Sequence, residues 1–219
     1  LVVRTTAVGS AAVRPKIGVL AVQGGFATHL AHLNSAGAAA VEVRTPDDLV
    51  GLDGLILPGG ESTTITMGIE AAGLEEGIRE HHRDGKPVLG TCAGMIVADR
   101  DHLGLIDITT RRNAFGRQLA SFEDEVEVEG IDGGPVHGVF IRAPWVETVG
   151  PGVEVLAELR GHPVAARQGP VTVVSFHPEL TADDRIHRWF AGSASAAAGN
   201  RRAGEGEEPG EQAERRQQD

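Results

Sequence analysis

The stretch KPVLGTCAGM (Lys86–Met95) decides the fold. Its first half is a short apolar run typical of a buried parallel strand, and its second half begins a helix after a tight turn. A strand followed by a helix in this way predicts a βαβ unit. Cys92, the only cysteine in the chain, lies in the turn. Ligands collect at the carboxyl ends of parallel strands, so Cys92 is placed for chemistry. The alternative is a small buried hydrophobe, a common role of free cysteine.

Apolar runs of the same kind alternate with helix-like segments along the first half of the chain. The runs are Ile17–Val22, Ala40–Arg44, Gly54–Pro58 and Lys86–Gly90. They predict an α/β fold of three layers, flavodoxin-like, in which a mostly parallel sheet is flanked by helices. The later half is richer in strands, and residues 125–130 and 171–176 are expected to form an antiparallel extension. Residues 181–192 are expected to form a closing helix capped by Thr181.

Composition limits the organisation and the class of protein. With 219 residues and 41% apolar content, the chain suits a single domain, predicted at residues 16–191. Residues 1–15 are expected to be a disordered extension. Residues 192–219 contain Gly, Ala, Glu and Arg with almost no large apolar side chain, and are expected to be a disordered charged tail.

Charge and cysteine content bear on partners and compartment. A net charge of −11, with no basic stripe, argues against nucleic acid as a partner. No apolar run approaches the length of a membrane span. A single cysteine cannot form an internal disulfide, which favours a reducing, cytoplasmic location.

Cys92 has the neighbours that a nucleophile needs. A sharp strand-to-helix turn holds a reactive side chain exposed, and the start of the following helix favours a thiolate. The amide of Ala93 can face a developing oxyanion. The segment SFHPEL (Ser175–Leu180) supplies a base and an orienting group, since His177 and Glu179 point the same way in an extended chain. Four other histidines lie on polar stretches and are expected to be solvated at the surface: His81, His82, His102 and His187.

The glycine-rich loop ILPGGEST (Ile56–Thr63) follows another predicted strand. It can supply a second N–H to an oxyanion and backbone contacts to a substrate. A simple tight turn is the alternative interpretation.

Taken together, GTCAGM, SFHPEL and ILPGGEST resemble the class I, triad-type glutamine amidotransferases. RRNAFGRQ (Arg111–Gln118), SFE (Ser121–Glu123) and GVFIRAP (Gly138–Pro144) are more particular. With them, the chain resembles the glutaminase subunits of pyridoxal 5′-phosphate synthase, the PdxT/SNO family, over about residues 16–191.

The resemblance implies a role for each matching residue. Cys92 attacks the side-chain amide carbon of glutamine, His177 moves the proton, and Glu179 orients His177. The amides of Gly60 and Ala93 form the oxyanion hole. The implied glutamine-binding residues are Gly60, Glu61, Ser62, Arg112, Ile141 and Arg142, with Arg112 pairing with the α-carboxylate. From the residues alone, a surface ion pair is the simpler interpretation of Arg112. The resemblance implies no metal and no cofactor.

The resemblance also implies a partner. Ammonia passes through a tunnel to a (β/α)₈-barrel synthase subunit, in a large hetero-oligomer that builds pyridoxal 5′-phosphate. Two departures from the family pattern bear on this coupling: a segment shortened after Asp101, and the altered helix start in AVQGGFATHL. Two rival functions remain open at this point, an amidotransferase for another acceptor such as imidazole glycerol phosphate, and a non-catalytic regulatory subunit.

Overall fold

The computed structural model describes residues 14–116 and 121–205. Its strands are β1 (Lys16–Leu20), β2 (Ala39–Val43), β3 (Gly54–Leu57), β4 (Val88–Thr91), β5 (Ile108–Arg111), β6 (Ser121–Val126), β7 (Val136–Ile141), β8 (Trp145–Val149), β9 (Glu154–Leu159), β10 (His162–Gln168) and β11 (Val171–Val174). Its α-helices are α1 (Phe26–Ser35), α2 (Ser62–Ala71), α3 (Glu75–Arg83), α4 (Ala93–Ala98) and α5 (Arg185–Glu205). No helix in these described ranges is both long and apolar enough to cross a membrane.

Seven strands form the central sheet, in the order β2-β1-β3-β4-β11-β10-β9. The first five run parallel, and β10 and β9 add an antiparallel edge. Two further antiparallel pairs, β5 with β8 and β6 with β7, lie outside this sheet. The predicted α/β fold with a mostly parallel sheet and an antiparallel extension is confirmed.

The central strands are buried on both faces, which explains why they are continuous apolar runs in the sequence. In β3, Leu55 and Leu57 pack on the side of α2, α3 and α4, where Ile65 and Ile78 lie. Ile56 points to the opposite face and packs with α1 and α5. The three predicted layers are therefore present, and the helices of the described residues lie two on one face and three on the other.

One part of the predicted extension is confirmed on one side only. The segment 171–174 forms β11, which lies inside the central sheet, antiparallel to β10 but parallel to β4, with Val173 opposite Gly90. A short apolar run gives no information on strand direction, because parallel and antiparallel strands with two buried faces have the same pattern. Only the segment near residue 125 belongs to an antiparallel pair outside the sheet, as part of β6.

The prediction of disorder from residue 192 is wrong for residues 192–205, which continue α5. Ala194 and Ala198 are buried, and Arg201 forms an ion pair with Asp53 at 3.0 Å. A Cβ atom at Gly54 would lie 3.2 Å from the Cβ atom of Ala194, so small residues on both sides let the helix lie close to the sheet. Residues 1–13, 117–120 and 206–219 lie outside the described residues, including Arg117 and Gln118 of the RRNAFGRQ motif.

The beginning of α5 also differs from the prediction. The helix starts at Arg185, and the carboxylate of Asp183 accepts a hydrogen bond from the Arg185 amide at 3.1 Å. Thr181 instead accepts from the Asp183 amide within the preceding turn. The side chain that accepts from the first amide of the helix is therefore that of Asp183 and not that of Thr181, and both residue types favour such positions before a helix.

The segment after Asp101, which the family resemblance marks as short, closes compactly. The helix α4 has only six residues, and the chain then turns so that Leu103, Leu105 and Ile106 are buried in the core. The amides of Leu103 and Leu105 donate to the carbonyls of Val97 and Ala98. Core packing therefore continues through the short segment.

Candidate active site

Three loops meet at one edge of the central sheet. They follow β3, β4 and β11, which are neighbours and run parallel, so their carboxyl ends lie side by side. The loop after β3 carries Gly59 and Gly60, the turn after β4 carries Cys92, and the chain after β11 carries His177. The order of the strands thus brings together three motifs that lie far apart in the sequence.

Cys92 occupies the sharp turn that the sequence predicts. Its backbone has φ 48° and ψ −106°, an unfavourable conformation for a residue with a side chain. Surrounding contacts hold it there, including a 2.8 Å hydrogen bond from its amide to the Val174 carbonyl. A Cβ atom at Gly94 would meet the carbonyl of Leu57, so only glycine lets α4 start this close to the sheet. Such local strain is characteristic of a residue fixed for chemistry.

His177 and Glu179 form the predicted pair. Nδ1 of His177 lies 2.7 Å from Oε1 of Glu179, and Glu179 is buried with 3% of its surface exposed. The local geometry differs from the prediction, because Glu179 lies in a 3₁₀ turn at Pro178–Leu180 and not in extended chain. The His177 amide donates to the Val139 carbonyl of β7 at 2.8 Å, which anchors the turn.

The pKa values of the pair describe a charged His177 beside an ionised Glu179. Burial of the imidazole opposes its protonation, but its hydrogen bonds with Cys92 and Glu179 outweigh burial and raise the pKa of His177 to about 10. Burial alone would raise the pKa of the Glu179 carboxyl, but the hydrogen bond from His177 outweighs this and lowers it. This arrangement suits a base that holds a proton already taken up and is kept in place by Glu179.

A cavity of about 330 Å³ opens beside Cys92 and His177. Glu179 lies behind His177 and does not line this cavity. All the other residues predicted for the site do: Gly60, Glu61, Ser62, Ala93, Arg112, Ile141 and Arg142. The cavity lining also includes four residues that the sequence analysis missed: Gln23, Ile96, Asn113 and Pro144. Gln23 follows β1 at the same edge of the sheet, and this position was the available signal.

The two predicted oxyanion donors lie in this cavity wall. Ala93 is the first residue of α4, so its amide has no partner within the helix. The Gly59 carbonyl accepts from the Gly25 amide at 3.0 Å, which fixes the orientation of the peptide that carries the Gly60 amide. Oε1 of Gln23 accepts from the Glu61 amide at 3.0 Å and fixes the next peptide.

Arg112 and Glu61 form an ion pair across the mouth of the cavity. Nη2 of Arg112 lies 2.9 Å from Oε1 of Glu61, and both side chains are about half exposed. Glu61 also caps α2, accepting from the Thr63 and Thr64 amides, and the hydrogen bonds from Thr64 lower its pKa to about 2. The pair therefore places one fixed negative and one fixed positive charge at the entrance.

The remaining predicted residues shape the floor and the rim. Ser62 is buried, and its Oγ atom has no hydrogen-bond partner among the described residues. The carbonyl of Ile141 lies 3.8 Å from Sγ of Cys92, and Arg142 follows with φ 45°. Ile141 therefore contacts Cys92 through its backbone, while its side chain is 37% exposed.

Another cavity of similar size offers less chemistry. It has a volume of about 360 Å³ and is lined in part by His82, Arg100 and Asp107. Arg100 and Asp107 are already paired at 2.6 Å, and the cavity contains no nucleophile. Within residues 14–116 and 121–205, no cluster of three or more His, Cys, Asp or Glu side chains is arranged to hold a metal ion.

Two of the histidines predicted at the surface are instead buried. His81 has 3% of its surface exposed and His187 has none. Polar neighbours in the sequence misled the prediction, because His81 lies on the inner face of the mostly polar helix α3 and His187 on the inner face of α5, beside buried Ile186 and Phe190.

A sequence model of the SNO glutamine amidotransferase family matches residues 19–195. The chain belongs to this family. It is 54% identical over 193 residues to the pyridoxal 5′-phosphate synthase subunit PdxT of Mycolicibacterium vanbaalenii, covering 83% of this chain and 98% of that protein. It is 56% identical over 186 residues to the subunit of the same name from Streptomyces coelicolor, covering 81% and 92%.

A solved structure supports the same relationship. A crystal structure of a glutamine amidotransferase superposes with a TM-score of 0.77 at 48% identity, covering 81% of this chain and 98% of that one. The family resemblance stated from the motifs is confirmed by these comparisons.

Proposed function

We propose that the protein is the glutaminase subunit of a pyridoxal 5′-phosphate synthase, and that Cys92, His177 and Glu179 carry out the hydrolysis of L-glutamine. One observation carries the assignment of the residues: the strained turn at Cys92 lies beside a His177 that is hydrogen-bonded at 2.7 Å to a buried carboxylate. A protein that only binds a ligand has no need of this combination.

The reaction begins when Sγ of Cys92, having given its proton to His177, attacks the side-chain amide carbon. The amides of Gly60 and Ala93 stabilise the oxyanion. His177 gives its proton to the departing nitrogen, ammonia leaves, and a thioester remains on Cys92. His177 then takes a proton from water, the resulting hydroxide attacks the thioester, and glutamate leaves as the thiolate re-forms. Glu179 keeps the imidazole in one orientation throughout.

Glutamine is a zwitterion at its α-carbon, and the cavity entrance matches it. Arg112 offers a guanidinium to the α-carboxylate, a charge-assisted contact, and Glu61 offers a carboxylate to the α-ammonium group. Binding then exchanges the Arg112–Glu61 contact for contacts with the substrate. Ser62, Ile141 and Arg142 line the rest of the chamber.

The partner is the barrel-shaped synthase subunit, which receives the ammonia in a large hetero-oligomer. The names of the close relatives support this part of the proposal, since both are described as subunits of pyridoxal 5′-phosphate synthase. A reducing cytoplasm suits the reaction, because Cys92 is a free thiol and the nucleophile must stay reduced.

The test is ammonia release from glutamine by the purified protein, with and without a synthase subunit from the same organism, for the wild type and Cys92→Ala. We expect release that rises with the synthase subunit and is lost in Cys92→Ala, while thermal unfolding is unchanged. If ammonia release is unchanged by the synthase subunit, the protein is still a glutaminase, but its ammonia goes to another acceptor. Release retained by Cys92→Ala would refute the nucleophile.

A further inference from the structure

A buried cluster of histidines lies behind Glu179, on the side away from His177. His29 of α1 and His187 of α5 are both fully buried, and Nδ1 of His29 lies 2.9 Å from Nε2 of His187. His32, one turn further along α1, stacks on His187 with ring centroids 4.6 Å apart. The proposed mechanism uses none of these three side chains.

His29 reaches the catalytic carboxylate. Its Nε2 atom lies 3.3 Å from Oε2 of Glu179 and 3.2 Å from Oγ1 of Thr91. Oε2 is buried and has no aligned hydrogen bond among the described residues, so His29 Nε2 is the polar atom placed to support it. Thr91 in turn accepts from the Gly59 amide at 3.1 Å, next to the oxyanion loop.

The contacts select one tautomer for each ring. If Nε2 of His187 donates to Nδ1 of His29, then His29 carries its proton on Nε2, which donates to Oγ1 of Thr91 and lies 3.3 Å from Oε2 of Glu179. Nδ1 of His187 then carries no proton, which fits the observation that this atom has no hydrogen-bond partner among the described residues. The opposite set would turn a lone pair of His29 toward a carboxylate and bury an unpaired N–H on His187, both of which are unfavourable.

His29 is neutral as well as oriented. Burial lowers its pKa to about 4, although the charge of Glu179 acts in the opposite direction. His177 and His32 also lower the pKa of His29, and burial, together with His29 and His32, lowers the pKa of His187 to about 2. A neutral N–H can stabilise Glu179 without neutralising it, whereas a charged imidazolium would compete with His177 for the same carboxylate.

We propose that His29 is a positioning residue, whose imidazole, oriented by His187, holds the second oxygen of Glu179 so that this carboxylate stays ionised and aligned on His177. The proposal rests on the proposed function, because it takes Glu179 as the residue that orients the base. It extends the catalytic assembly from the sheet edge to α1 and to the C-terminal helix α5.

Two substitutions at one position separate this role from packing. In His29→Gln the amide nitrogen takes the place of Nε2 and still faces Glu179. In His29→Asn the amide takes the place of Nδ1 and faces His187 instead. In complex with the synthase subunit, we expect His29→Asn to lower kcat for ammonia release by roughly 10- to 100-fold with little change in KM, the range expected when a buried charged group loses a donor. We expect the acid limb of its kcat/KM profile to move to higher pH, because Glu179 then protonates more easily.

The kcat and pH profile of His29→Gln distinguish a hydrogen-bond donor from a packing residue. Activity within about threefold of wild type, with the acid limb unmoved, supports the donor role. Equal losses in both variants would overturn it and leave His29 as core packing. His32→Gln is the matched control, since it alters the same cluster without reaching Glu179, and it should keep wild-type kcat. If His29 variants unfold, His187→Leu tests the proposal from the second ring, and unchanged kcat and pH profile there would refute it.

Measuring Glu179→Gln in parallel distinguishes a failure of the His29 proposal from a failure of the proposed triad. If Glu179→Gln loses activity but His29→Asn does not, only the present inference fails. If Glu179→Gln is fully active, the assignment of the triad fails first.

Discussion

Gly59 lies beside both His177 and Cys92, and replacing it with alanine should disable the proposed site by displacing His177. A Cβ atom at position 59 would lie against Cε1 of the imidazole and 2.8 Å from its Nδ1, but at an ordinary 3.4 Å from Cβ of Cys92. Heavy atoms in contact prefer separations of roughly 3.5–4 Å, so the ring has to move by about 1 Å. A misplacement of about 1 Å in a reacting assembly lowers the rate by roughly 100-fold.

The assay is steady-state ammonia release in the presence of the synthase subunit, together with the rate of Cys92 alkylation by iodoacetamide. Gly59→Ala should lower kcat/KM by about two orders of magnitude and slow alkylation, because the displaced imidazole no longer takes the thiol proton. Gly192→Ala is the matched control, since a Cβ atom there meets nothing within 4 Å. Wild-type kcat/KM in a folded Gly59→Ala protein would refute the arrangement of His177 beside Cys92.

Three further predictions concern binding and stability. Arg112→Ala should raise KM for glutamine by roughly 10- to 100-fold with kcat less affected, because a charge-assisted contact to the α-carboxylate is lost, and steady-state kinetics measure it. His81 donates through Nε2 to the Pro87 carbonyl at 3.3 Å and its Nδ1 has no partner among the described residues, while burial lowers its pKa to about 4. The folded state therefore binds fewer protons than the unfolded chain below pH 6.5, so between pH 6.5 and 5 this residue costs about 2 kcal/mol of stability, and urea unfolding of His81→Gln should lack that loss. Arg201→Ala should lower the free energy of unfolding by about 1 kcal/mol through loss of the partly buried pair with Asp53, a result that equal urea midpoints for variant and wild type would contradict.

The fold was predictable where burial leaves a simple pattern. The strands β1, β3 and β4 are apolar on both faces, so their runs stand out and mark the carboxyl edge of the sheet. The helix α5 was less visible, because it packs through small side chains. Ala194 and Ala198 contribute little hydrophobicity to the sequence, yet their size lets α5 lie against Gly54. Composition therefore underestimated the ordered length of the chain.

The candidate site divides in the same way. Cys92, His177 and Glu179 were found because each lies in a short motif directly after a strand. His29 and His187 were not, because their meaning depends on each other and on Glu179, across 158 residues of sequence. The sequence pattern around a histidine on the inner face of a helix is the same whether the histidine contacts apolar side chains or a carboxylate.

The position of β11 explains why the site depends on the whole sheet. His177 lies 85 positions after Cys92, and the two meet only because β11 inserts beside β4 and not at the end of the extension. The same placement brings α5, which follows β11 in sequence, back across the sheet to α1, where His187 reaches His29. One choice of strand position thus places His177, Glu179 and the histidine pair behind Glu179 beside Cys92. Disturbing α5 should therefore weaken catalysis as well as stability. Measuring both kcat and the free energy of unfolding of His187→Leu shows which effect dominates.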